Sequence, residues 1–364
     1  MYGVYHCYLT QQENKMPTNL SLFSGAGGMD IGLHQAGFTT QQYVEADEKC
    51  RDTLRTNLHN PLLFTDVKIY KGQKGIFDLV SGGPPCQSFS TAGKREALED
   101  PRGDLIFDFI RIVSETMPRF FVMENVRGLE SASLPGKPMG SVLQEEVYPK
   151  FAELGYELST GLVSSLDYGI AQDRKRFLII GSRDHEFGSW PERMPILRLL
   201  PPTHGTTGSL FDKPYKVLCE VLTDLPDEEE CMSYSEARAK IYSEVPAGAN
   251  WRYFRDSPKY TAEYVQEVLG GAYNSSGGRV GFWRRLSWDK WSPTLTTSPV
   301  QKATGLCHPD ETRPLSVREY ARIQGFPDEW KFVGNTAAKY RQIGNAVPCV
   351  LGRVIGNALM KYME

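Results

Sequence analysis

The ten residues NLSLFSGAGG, positions 19–28, decide the fold of this chain. An apolar run over 19–23 ends in the glycine-rich segment 24–28, and a helical pattern over 29–36 follows, with Gly37 as its stop. Glycine permits close approach of a ligand to the backbone, and a helix N-terminus offers free N–H groups to anions. A strand, a glycine turn and a helix in this order predict a nucleotide-type pocket, although the glycine spacing differs from the GxGxxG of dinucleotide sites.

Short strands and helices alternate through the first half of the chain. Beyond the first pair, we predict strands over 42–45, 77–81, 119–124, 158–164 and 176–182, and helices over 48–57, 104–117, 316–324 and 348–362. Strands that alternate with helices of this length imply βαβ units and a parallel sheet. In such sheets the ligand-binding groups lie at the carboxyl ends of the strands, and the chemically unusual residues of this chain follow predicted strands.

The composition argues against several classes of protein. The chain has 364 residues, of which 40% are hydrophobic and 23% are charged, which fits neither a disordered chain nor a membrane-embedded one. No uninterrupted apolar run approaches the roughly 18 residues that a spanning helix needs. The net charge of −3 argues against a basic nucleic-acid coat but not against a local basic cleft. Seven cysteines without a CxxC pair predict neither a disulfide framework nor a zinc site, and we expect a reducing cytoplasm.

Two acids follow predicted strands near the glycine turn. Glu45 ends the second strand, where a carboxylate can bind both hydroxyls of a ribose, and Asp66 follows a further short element. A solvent-exposed loop acid is the alternative interpretation of Glu45. Together with the glycine turn, the ordered set favours a cofactor that contains adenosine.

The segment GGPPCQSFS, positions 82–90, carries a cysteine on a proline-stiffened loop after a buried strand. A free cysteine is more often a small buried hydrophobic residue. Cys86, however, lies at the carboxyl end of a strand, where a nucleophile is expected, and it would need nearby cations or a helix N-terminus to act as a thiolate. Both interpretations stay open from this loop alone.

Charged residues also mark the next strands. Glu124 closes a buried strand, where burial of a carboxyl group would suit a general acid, and an ion pair with an arginine is the alternative. Arg174 and Arg176 lie at the start of a further strand, and alternation sends both to the same side. Two guanidinium groups there could hold a phosphate or a carbonyl oxygen and favour a thiolate, whereas a solvated basic edge is the alternative.

The character of the chain changes after residue 183. Prolines interrupt the periodicity over 191–214, and aromatic and basic residues are interleaved from 270 to 304. We therefore predict a domain boundary near residue 185.

In their order along the chain, these segments resemble the DNA (cytosine-5)-methyltransferase family, in its bacterial restriction-modification branch. The matching segments are FSGAGG at 23–28, PCQ at 85–87, DPRG at 100–103, ENV at 124–126, QDRKR at 172–176, REYARIQGFP at 318–327 and IGNAVP at 343–348. The resemblance covers residues 18 to about 184 and 283 to 360. The unmatched stretch lies where that family carries its variable target-recognition region.

The resemblance implies an α/β fold, a Rossmann-like S-adenosylmethionine-dependent methyltransferase sheet with a smaller target-recognition lobe. The implied organisation is a flexible tail over 1–17, a catalytic and cofactor-binding domain over 18–184, a target-recognition domain over 185–305, and a C-terminal segment over 306–364 that returns to the catalytic domain.

The resemblance also implies the residues of the site. Cys86 would be the nucleophile, Glu124 would hold ring N3 of cytosine, and Arg176 would hold the ring O2, with Arg174 as a further catalytic residue. The implied cofactor pocket consists of Phe23, Ser24, Gly25, Ala26, Gly27, Gly28, Glu45, Ala46, Asp66, Val67, Pro84, Leu105, Asn345 and Ala346. The implied DNA contacts are Gln87, Ser90, Lys94, Arg284, Arg285 and Thr294. Ala46 stands where a large apolar residue sometimes follows the ribose-binding acid.

The implied reaction moves a methyl group from S-adenosylmethionine to carbon 5 of a cytosine flipped out of duplex DNA, through a covalent adduct with Cys86. The implied protein is a cytoplasmic monomer that protects host DNA in a restriction-modification system, whose endonuclease would act separately.

Other classes of protein fit less well. A dehydrogenase would explain the glycine turn but not Cys86 with its acid and arginines, and DNA amino-methyltransferases carry an Asp/Asn-Pro-Pro-aromatic loop where this chain has Pro84-Pro85-Cys86. The nearest alternative is the tRNA cytosine-5 branch of the same family, which typically carries a Cys-Phe-Thr tripeptide that does not occur in this sequence. A catalytically inactive DNA-binding relative would be expected to lose Cys86 or the glycine turn.

Overall fold

An eight-stranded mixed sheet organises the chain. The computed structural model describes residues 16–85, 104–184, 186–188, 191–206, 213–225, 230–274 and 281–363. The first nine strands are β1 (Thr18–Leu22), β2 (Thr39–Val44), β3 (Leu62–Phe64), β4 (Leu79–Gly82), β5 (Phe120–Val126), β6 (Glu157–Ser164), β7 (Gln172–Asp173), β8 (Lys175–Ser182) and β9 (Met194–Pro195). All of these except β7 belong to the large sheet.

The described residues contain the following helices, some of which begin at a capping side chain. They are α1 (Gly28–Gln35), α2 (Glu48–Asn57), α3 (Asp104–Thr116), α4 (Tyr148–Glu153), α5 (Ile196–Leu199), α6 (Glu236–Glu244), α7 (Arg252–Asp256), α8 (Ala262–Leu269), α9 (Val317–Gln324), α10 (Thr336–Asn345) and α11 (Cys349–Met360). The Asp47 carboxylate accepts two backbone N–H groups at the start of α2. Ser316 and Glu319 form a capping box at the start of α9, and Gly325 ends that helix in the left-handed conformation.

The strand order is β3-β2-β1-β4-β5-β8-β6-β9. Strands β1 to β5 pair with one another in parallel, which confirms the parallel sheet predicted for the first half of the chain. β8, for which the sequence predicted a strand but no direction, is antiparallel to both β5 and β6. The reason is the short connection: only residues 165–174 join β6 to β8, whereas a parallel crossover needs a dozen or more residues.

Apolar layers cover both faces of the sheet. One layer includes Phe109 of α3 and Phe151 of α4 packed on Phe121, and the other includes Leu33 of α1 and Leu351 of α11. This two-sided covering is typical of doubly wound α/β folds, so polar functional groups are left to the ends of the strands.

The region from 185 to 305 has an aromatic core of its own. Its buried members include Tyr242, Trp251, Phe254 and Trp283. The short strands associated with this region are β10 (His204–Gly205), β11 (Lys213–Pro214), β12 (Arg284–Arg285), β13 (Ser292–Pro293) and β14 (Leu306–Cys307). β13 pairs with β7, directly before the start of β8, so this pairing joins the region to the large sheet. The exact domain limits stay a prediction.

The stretch Thr336–Met360 meets the length and hydropathy criteria of a membrane-spanning helix. Within its most apolar window, however, 67% is buried inside the protein. The residues between α10 and α11 interrupt the stretch, and α11 packs against α1. We therefore interpret the stretch as core helices.

Candidate active site

Strand ends converge along one edge of the sheet. β1, β2, β4 and β5 end at this edge, and β8, which runs in the opposite direction, begins there. The register aligns Leu22 with Gly82 and Val126 with Arg176. The glycine turn and the segments after β2 and β5 therefore lie along the edge at which open α/β sheets bind their ligands.

The glycine turn after β1 is built from left-handed backbone. φ is +54° at Phe23, +56° at Gly25 and +84° at Gly27, which is the N-cap of α1. A Cβ on Gly28 would lie 2.3 Å from the carbonyl oxygen of Val347, so glycine is required where α1 approaches the segment before α11. A Cβ on Gly25 would instead meet none of the described residues within 4 Å, so these residues leave the backbone of the turn accessible at this point.

Backbone N–H groups fix the Glu45 carboxylate beside this turn. Its Oε2 accepts the N–H of Gly25 and its Oε1 accepts the N–H of Asp47, both at 2.7 Å. Burial raises the pKa of Glu45, and these two N–H groups act against that rise. Arg51 donates to the carbonyl oxygens of Glu45 and Ala46, which holds the segment after β2 in place. Each carboxylate oxygen has two lone pairs and can therefore also accept a hydroxyl donor.

The turn after β3 is anchored to α3. Asp66 is exposed and accepts the N–H of Lys68, while the side chain of Val67 is buried. Arg111 of α3 donates to the carbonyl oxygens of Val67 at 2.7 Å and Tyr70 at 3.0 Å. A cavity of about 460 Å³ opens beside this turn, lined in part by Asp66 and Tyr70.

Sequence analysis missed Arg111 as a residue that supports the site. The available signal was its spacing from Asp108 and Glu115, with which it forms ion pairs on the same helix.

The other predicted cofactor residues differ in their exposure. Ser24, Gly25 and Leu105 are half-buried. The buried members of the predicted pocket are Ala26, Gly27, Gly28, Val67, Pro84 and Ala346. Its exposed members are Ala46, Asp66 and Asn345, the last of which lies at the end of α10.

A buried ion pair joins β5 to β8. Nε of Arg176 lies 2.5 Å from Oε1 of Glu124, and the two side chains are 11% and 10% exposed. Because Val126 pairs with Arg176 in the sheet, Glu124 lies two residues away on the same face. A Cβ on Gly83 would lie 2.8 Å from Oε2 of Glu124, so the small residue leaves room for the carboxylate. The ion pair with an arginine, given above as the alternative interpretation of Glu124, is therefore present, and the role of Glu124 as a general acid stays a prediction.

Asn125 ties the loop after β4 to β5. Its Nδ2 donates to the carbonyl oxygen of Pro84 at 3.0 Å, and its Oδ1 accepts the N–H of Val126 at 2.8 Å. Pro84 comes two residues before Cys86, so this contact fixes the start of the predicted nucleophile loop. Sequence analysis did not assign this role, although an amide at a buried strand end was a visible signal.

Arg174 does not act together with Arg176 as the sequence predicted. Its side chain bonds to other parts of the chain. Its side chain is 2% exposed, and it donates to the carbonyl oxygens of Leu295 at 2.9 Å and Gly344 at 2.7 Å. Burial lowers the pKa of Arg174 well below its usual range; Arg176 adds to that effect and Glu124 opposes it. The two arginines diverge because residue 174 lies in the break between β7 and β8, where strand alternation does not apply.

The prediction that Arg285 contacts DNA was wrong. Arg285 is 5% exposed, and its guanidinium donates to the carbonyl oxygens of Val245, Tyr242, His308 and Glu311. A buried guanidinium that is saturated by backbone acceptors cannot reach a phosphate.

The other two predicted contacts of this region stay predictions. Arg284 is half-buried, and burial lowers its pKa. Thr294 is exposed, and its Oγ1 donates to the carbonyl oxygen of Asp173 at 2.8 Å, two residues before the start of β8. The predicted site residues Cys86, Gln87, Ser90 and Lys94 lie outside the described residues.

Known proteins resemble this chain over nearly its whole length. A family model described as C-5 cytosine-specific DNA methylase matches residues 18–361. The Type II methyltransferase M.Sau96I of Staphylococcus aureus is 39% identical over 361 residues, which cover 97% of this chain and 78% of that protein. The Type II methyltransferase M.Eco47II of Escherichia coli is 38% identical over 369 residues, which cover 98% of this chain and 81% of that protein.

Solved structures share the fold at lower identity. The Dnmt2 methyltransferase of S. pombe has a TM-score of 0.64 and 19% identity, with 96% of this chain and 99% of that chain covered. The Entamoeba histolytica methyltransferase EhMeth has a TM-score of 0.65 and 14% identity, with the same coverage of 96% and 99%. This likeness agrees with the predicted Rossmann-like methyltransferase sheet.

Proposed function

The chain belongs to the C-5 cytosine-specific DNA methylase family, and on that premise we propose that it methylates carbon 5 of a cytosine flipped out of duplex DNA. One observation carries the proposal at the level of residues: the buried pair of Glu124 and Arg176 lies at the same sheet edge as the glycine turn. A carboxyl group and a guanidinium held together suit N3 and O2 of a cytosine ring, and the turn suits a nucleotide-type cofactor.

We propose S-adenosylmethionine as the methyl donor. When bound, it supplies an electrophilic methyl group. Two features of the chain fit it: the described residues leave space over Gly25 for a ligand, and the Glu45 carboxylate beside it is fixed where it can accept two hydroxyl groups. The residues that would hold it are the turn 23–28, Glu45, Asp66, Leu105 and Asn345.

The proposed nucleophile is Cys86. Carbon 5 of cytosine is a poor nucleophile, so the ring has to be activated before the methyl group can move. The thiolate sulfur forms a bond to carbon 6, the electrons of the 5,6 double bond move toward carbon 4 and ring N3, and carbon 5 becomes enamine-like. After carbon 5 is methylated, a base removes its proton, the bond between sulfur and carbon 6 breaks, and the thiolate leaves.

Glu124 and Arg176 would stabilise the charge that this addition creates. Negative charge builds on ring N3 and O2, so we propose that Glu124 holds a proton at N3 while Arg176 donates to O2. Their ion pair preorganises both groups, because each side chain is buried and restrained by the other. Asn125 supports the same step by holding the carbonyl of Pro84, which fixes where the Cys86 loop begins.

The proposed substrate is duplex DNA. A cytosine inside a duplex is inaccessible to Cys86, so the base has to leave the stack, at a cost of a few kcal/mol. Because the relatives quoted above are Type II methyltransferases, we propose that this chain protects host DNA in the cytoplasm, as a monomer and beside a separate endonuclease. The residues proposed to contact DNA are Gln87, Ser90, Lys94, Arg284 and Thr294.

Bisulfite sequencing tests this function directly. DNA and total RNA would be taken from a host that lacks its own cytosine methylation and expresses the chain, with Glu124→Gln as the matched variant. We expect 5-methylcytosine in DNA at a fixed position of one short sequence, and a loss of about 100-fold or more for the variant, because a transition-state donor is removed. Methylated tRNA beside unmethylated DNA would favour the tRNA alternative and contradict the proposal.

A further inference from the structure

The guanidinium of Arg174 connects three segments that carry different parts of the site. Along the chain, Arg174 precedes Arg176 by two residues. Its Nη1 donates to the carbonyl of Leu295, the residue after Thr294, and its Nη2 donates to the carbonyl of Gly344, the residue before Asn345. Arg174 therefore lies two residues from the arginine proposed to hold cytosine, and it hydrogen-bonds the chain neighbours of residues proposed to contact DNA and the cofactor.

Two buried glutamines extend this connection. Nε2 of Gln172 donates to Oε1 of Gln324 at 2.9 Å, and Oε1 of Gln172 accepts the N–H of Leu295 at 3.0 Å. Nε2 of Gln324 donates in turn to the carbonyl oxygens of Ile343 and Ala346. Both glutamines are 0% exposed, so their polar groups depend on each other and on these backbone acceptors.

The segments around Arg174, Leu295 and Gly344 form a junction, and close backbone packing reinforces it. A Cβ on Gly344 would lie 2.3 Å from the carbonyl oxygen of Thr296, so the end of α10 touches the segment that follows β13. A displacement of either segment would break the contacts of Arg174 and Gln172 together. The junction can therefore fix one relative position of the two segments.

Stability alone does not explain a buried arginine at this position. The side-chain acceptors found for Arg174 are backbone carbonyls rather than carboxylates, and its Nε has no acceptor among the described residues. An arginine buried in this way carries a desolvation cost that an apolar side chain would avoid. The guanidinium instead fixes the positions of its acceptors, because its planar arrangement of N–H donors holds two carbonyls at a fixed separation.

We propose that Arg174 is a positioning residue. It holds Arg176, Thr294 and Asn345 at fixed positions relative to one another, so that cytosine, DNA and cofactor are aligned at the moment of methyl transfer. This inference rests on the function proposed above. DNA and the cofactor would each still bind if these relative positions became less fixed, because the residues that contact each of them are unchanged. Turnover would fall, because a misplacement of about 1 Å between reacting groups can cost about 100-fold in rate.

The test compares Arg174→Lys with Arg285→Lys. Lysine is also a cationic side chain, but it lacks the rigid planar guanidinium that holds the two carbonyls at a fixed separation. Arg285 is a matched control, because it is also buried and bonded to backbone carbonyls, but its acceptors at Tyr242, Val245 and His308 lie outside the junction. Three quantities are measured at a temperature where circular dichroism shows both variants folded. They are kcat on unmethylated genomic DNA, the affinity for S-adenosylmethionine without DNA, and the affinity for DNA fragments without cofactor.

For Arg174→Lys we expect kcat to fall about 100-fold, while both separate affinities stay within about threefold of wild type. Arg285→Lys should keep the wild-type kcat even if its melting temperature falls. A kcat near wild type for Arg174→Lys, or an equal loss of kcat in both variants, would overturn the inference and leave the proposed function standing. Failure of the wild-type protein to transfer any methyl group would overturn the proposed function itself.

Discussion

At the scale of single residues, backbone N–H groups fix the acid on which the proposed cofactor site depends. Glu45 is held at both carboxylate oxygens by the N–H groups of Gly25 and Asp47. A carboxylate fixed in this way needs no reorganisation when a ligand arrives, so its hydrogen bonds contribute to affinity in full.

Glu45→Ala should therefore weaken the binding of S-adenosylmethionine. Loss of a charged acceptor for two hydroxyl groups costs about 1.5 to 3 kcal/mol, which corresponds to about a 10- to 150-fold higher Kd in calorimetry. Glu48→Ala, an exposed acid in the first turn of α2, serves as the control and should leave the Kd unchanged. Equal affinities of the Glu45 variant and wild type would show that Glu45 does not bind the ribose.

Asp30 makes the stability of the fold depend on pH. This acid of α1 is 6% exposed, and the hydrogen bonds that it accepts from described side chains come from uncharged groups, among them the hydroxyls of Ser21 and Thr40. Burial raises its pKa from 3.8 to about 6, against the effect of these hydrogen bonds. The folded state therefore binds more protons than the unfolded state between about pH 4 and pH 6, and stability falls as pH rises through this window.

Asp30→Asn should raise the free energy of unfolding above pH 6. The wild-type penalty there is about 3 kcal/mol at most, because a shift of one pKa unit corresponds to about 1.4 kcal/mol. The gain should shrink toward pH 4, where wild-type Asp30 is increasingly protonated in the folded state. Urea denaturation from pH 4 to pH 8 measures this, with Glu329→Gln at an exposed position as the control. A gain that is constant over this range would contradict the account of Asp30.

At the scale of elements, the contact between α1 and α11 depends on glycine. A Cβ on Gly32 of α1 would lie 2.1 Å from the carbonyl oxygen of Cys349, and one on Gly352 of α11 would lie 2.3 Å from that of Met29. The obstacles are backbone atoms, which cannot turn aside as a flexible side chain can. The same contact positions the glycine turn, because α1 begins directly after it.

Gly32→Ala should therefore lower the free energy of unfolding by about 3 kcal/mol or more, despite the better helix propensity of alanine. Gly271→Ala is the control, because a Cβ at Gly271 meets none of the described residues within 4 Å. Chemical denaturation of the two variants measures the difference. A Gly32 variant as stable as the Gly271 variant would mean that the helices are not packed this closely.

Local sequence signals predicted the elements well where one segment suffices. The predicted helix over 48–57 coincides with α2, because Asp47 is a capping residue and the helical periodicity follows it. The direction of β8 was not predictable in the same way, because periodicity describes a strand but not its partners. The short connection between β6 and β8 implies antiparallel pairing only if the two strands are neighbours in the sheet. The sequence does not show that they are neighbours.

At the scale of the whole molecule, Arg284 and Arg285, the two adjacent arginines of β12, differ in their burial. Arg285 is buried among carbonyls of the region that surrounds it, and Arg284 is half-buried. Both had the same sequence signal, a cation among aromatic residues. Only the folded chain distinguishes them, because burial depends on segments such as 308–311 that lie far away along the sequence.

Arg285→Ala should lower the free energy of unfolding but leave the salt dependence of DNA binding unchanged, because no phosphate contact is lost. Arg284→Ala, if Arg284 contacts a phosphate, should reduce the slope of log K against log salt by about 1. Fluorescence anisotropy with a duplex at increasing salt measures both slopes. A reduced slope for Arg285→Ala would contradict its assignment as a buried structural residue.

The candidate site could be predicted only in part from the sequence. The glycine turn, Glu45, Glu124 and Arg176 were found because each follows or begins a strand, and all lie along one edge of the sheet. The supporting contacts of Arg111, Asn125 and the junction at Arg174 were not found, because they join segments far apart in sequence. Long-range hydrogen bonds leave no periodicity in the chain for such analysis to detect.

Trapping with 5-fluorocytosine tests the central claim most directly, namely that Cys86 attacks carbon 6 of a cytosine in duplex DNA. Genomic DNA fragments in which 5-fluorocytosine replaces cytosine would be incubated with S-adenosylmethionine and either wild-type protein or Cys86→Ser. The wild-type protein should form a denaturation-resistant complex with DNA, because fluorine cannot leave as a cation after methylation and the adduct persists. Cys86→Ser should bind cofactor and DNA but form no such complex and transfer no methyl group, because an alcohol is scarcely ionised at neutral pH. A Cys86→Ser protein that methylates DNA at a rate near that of wild type would contradict the account.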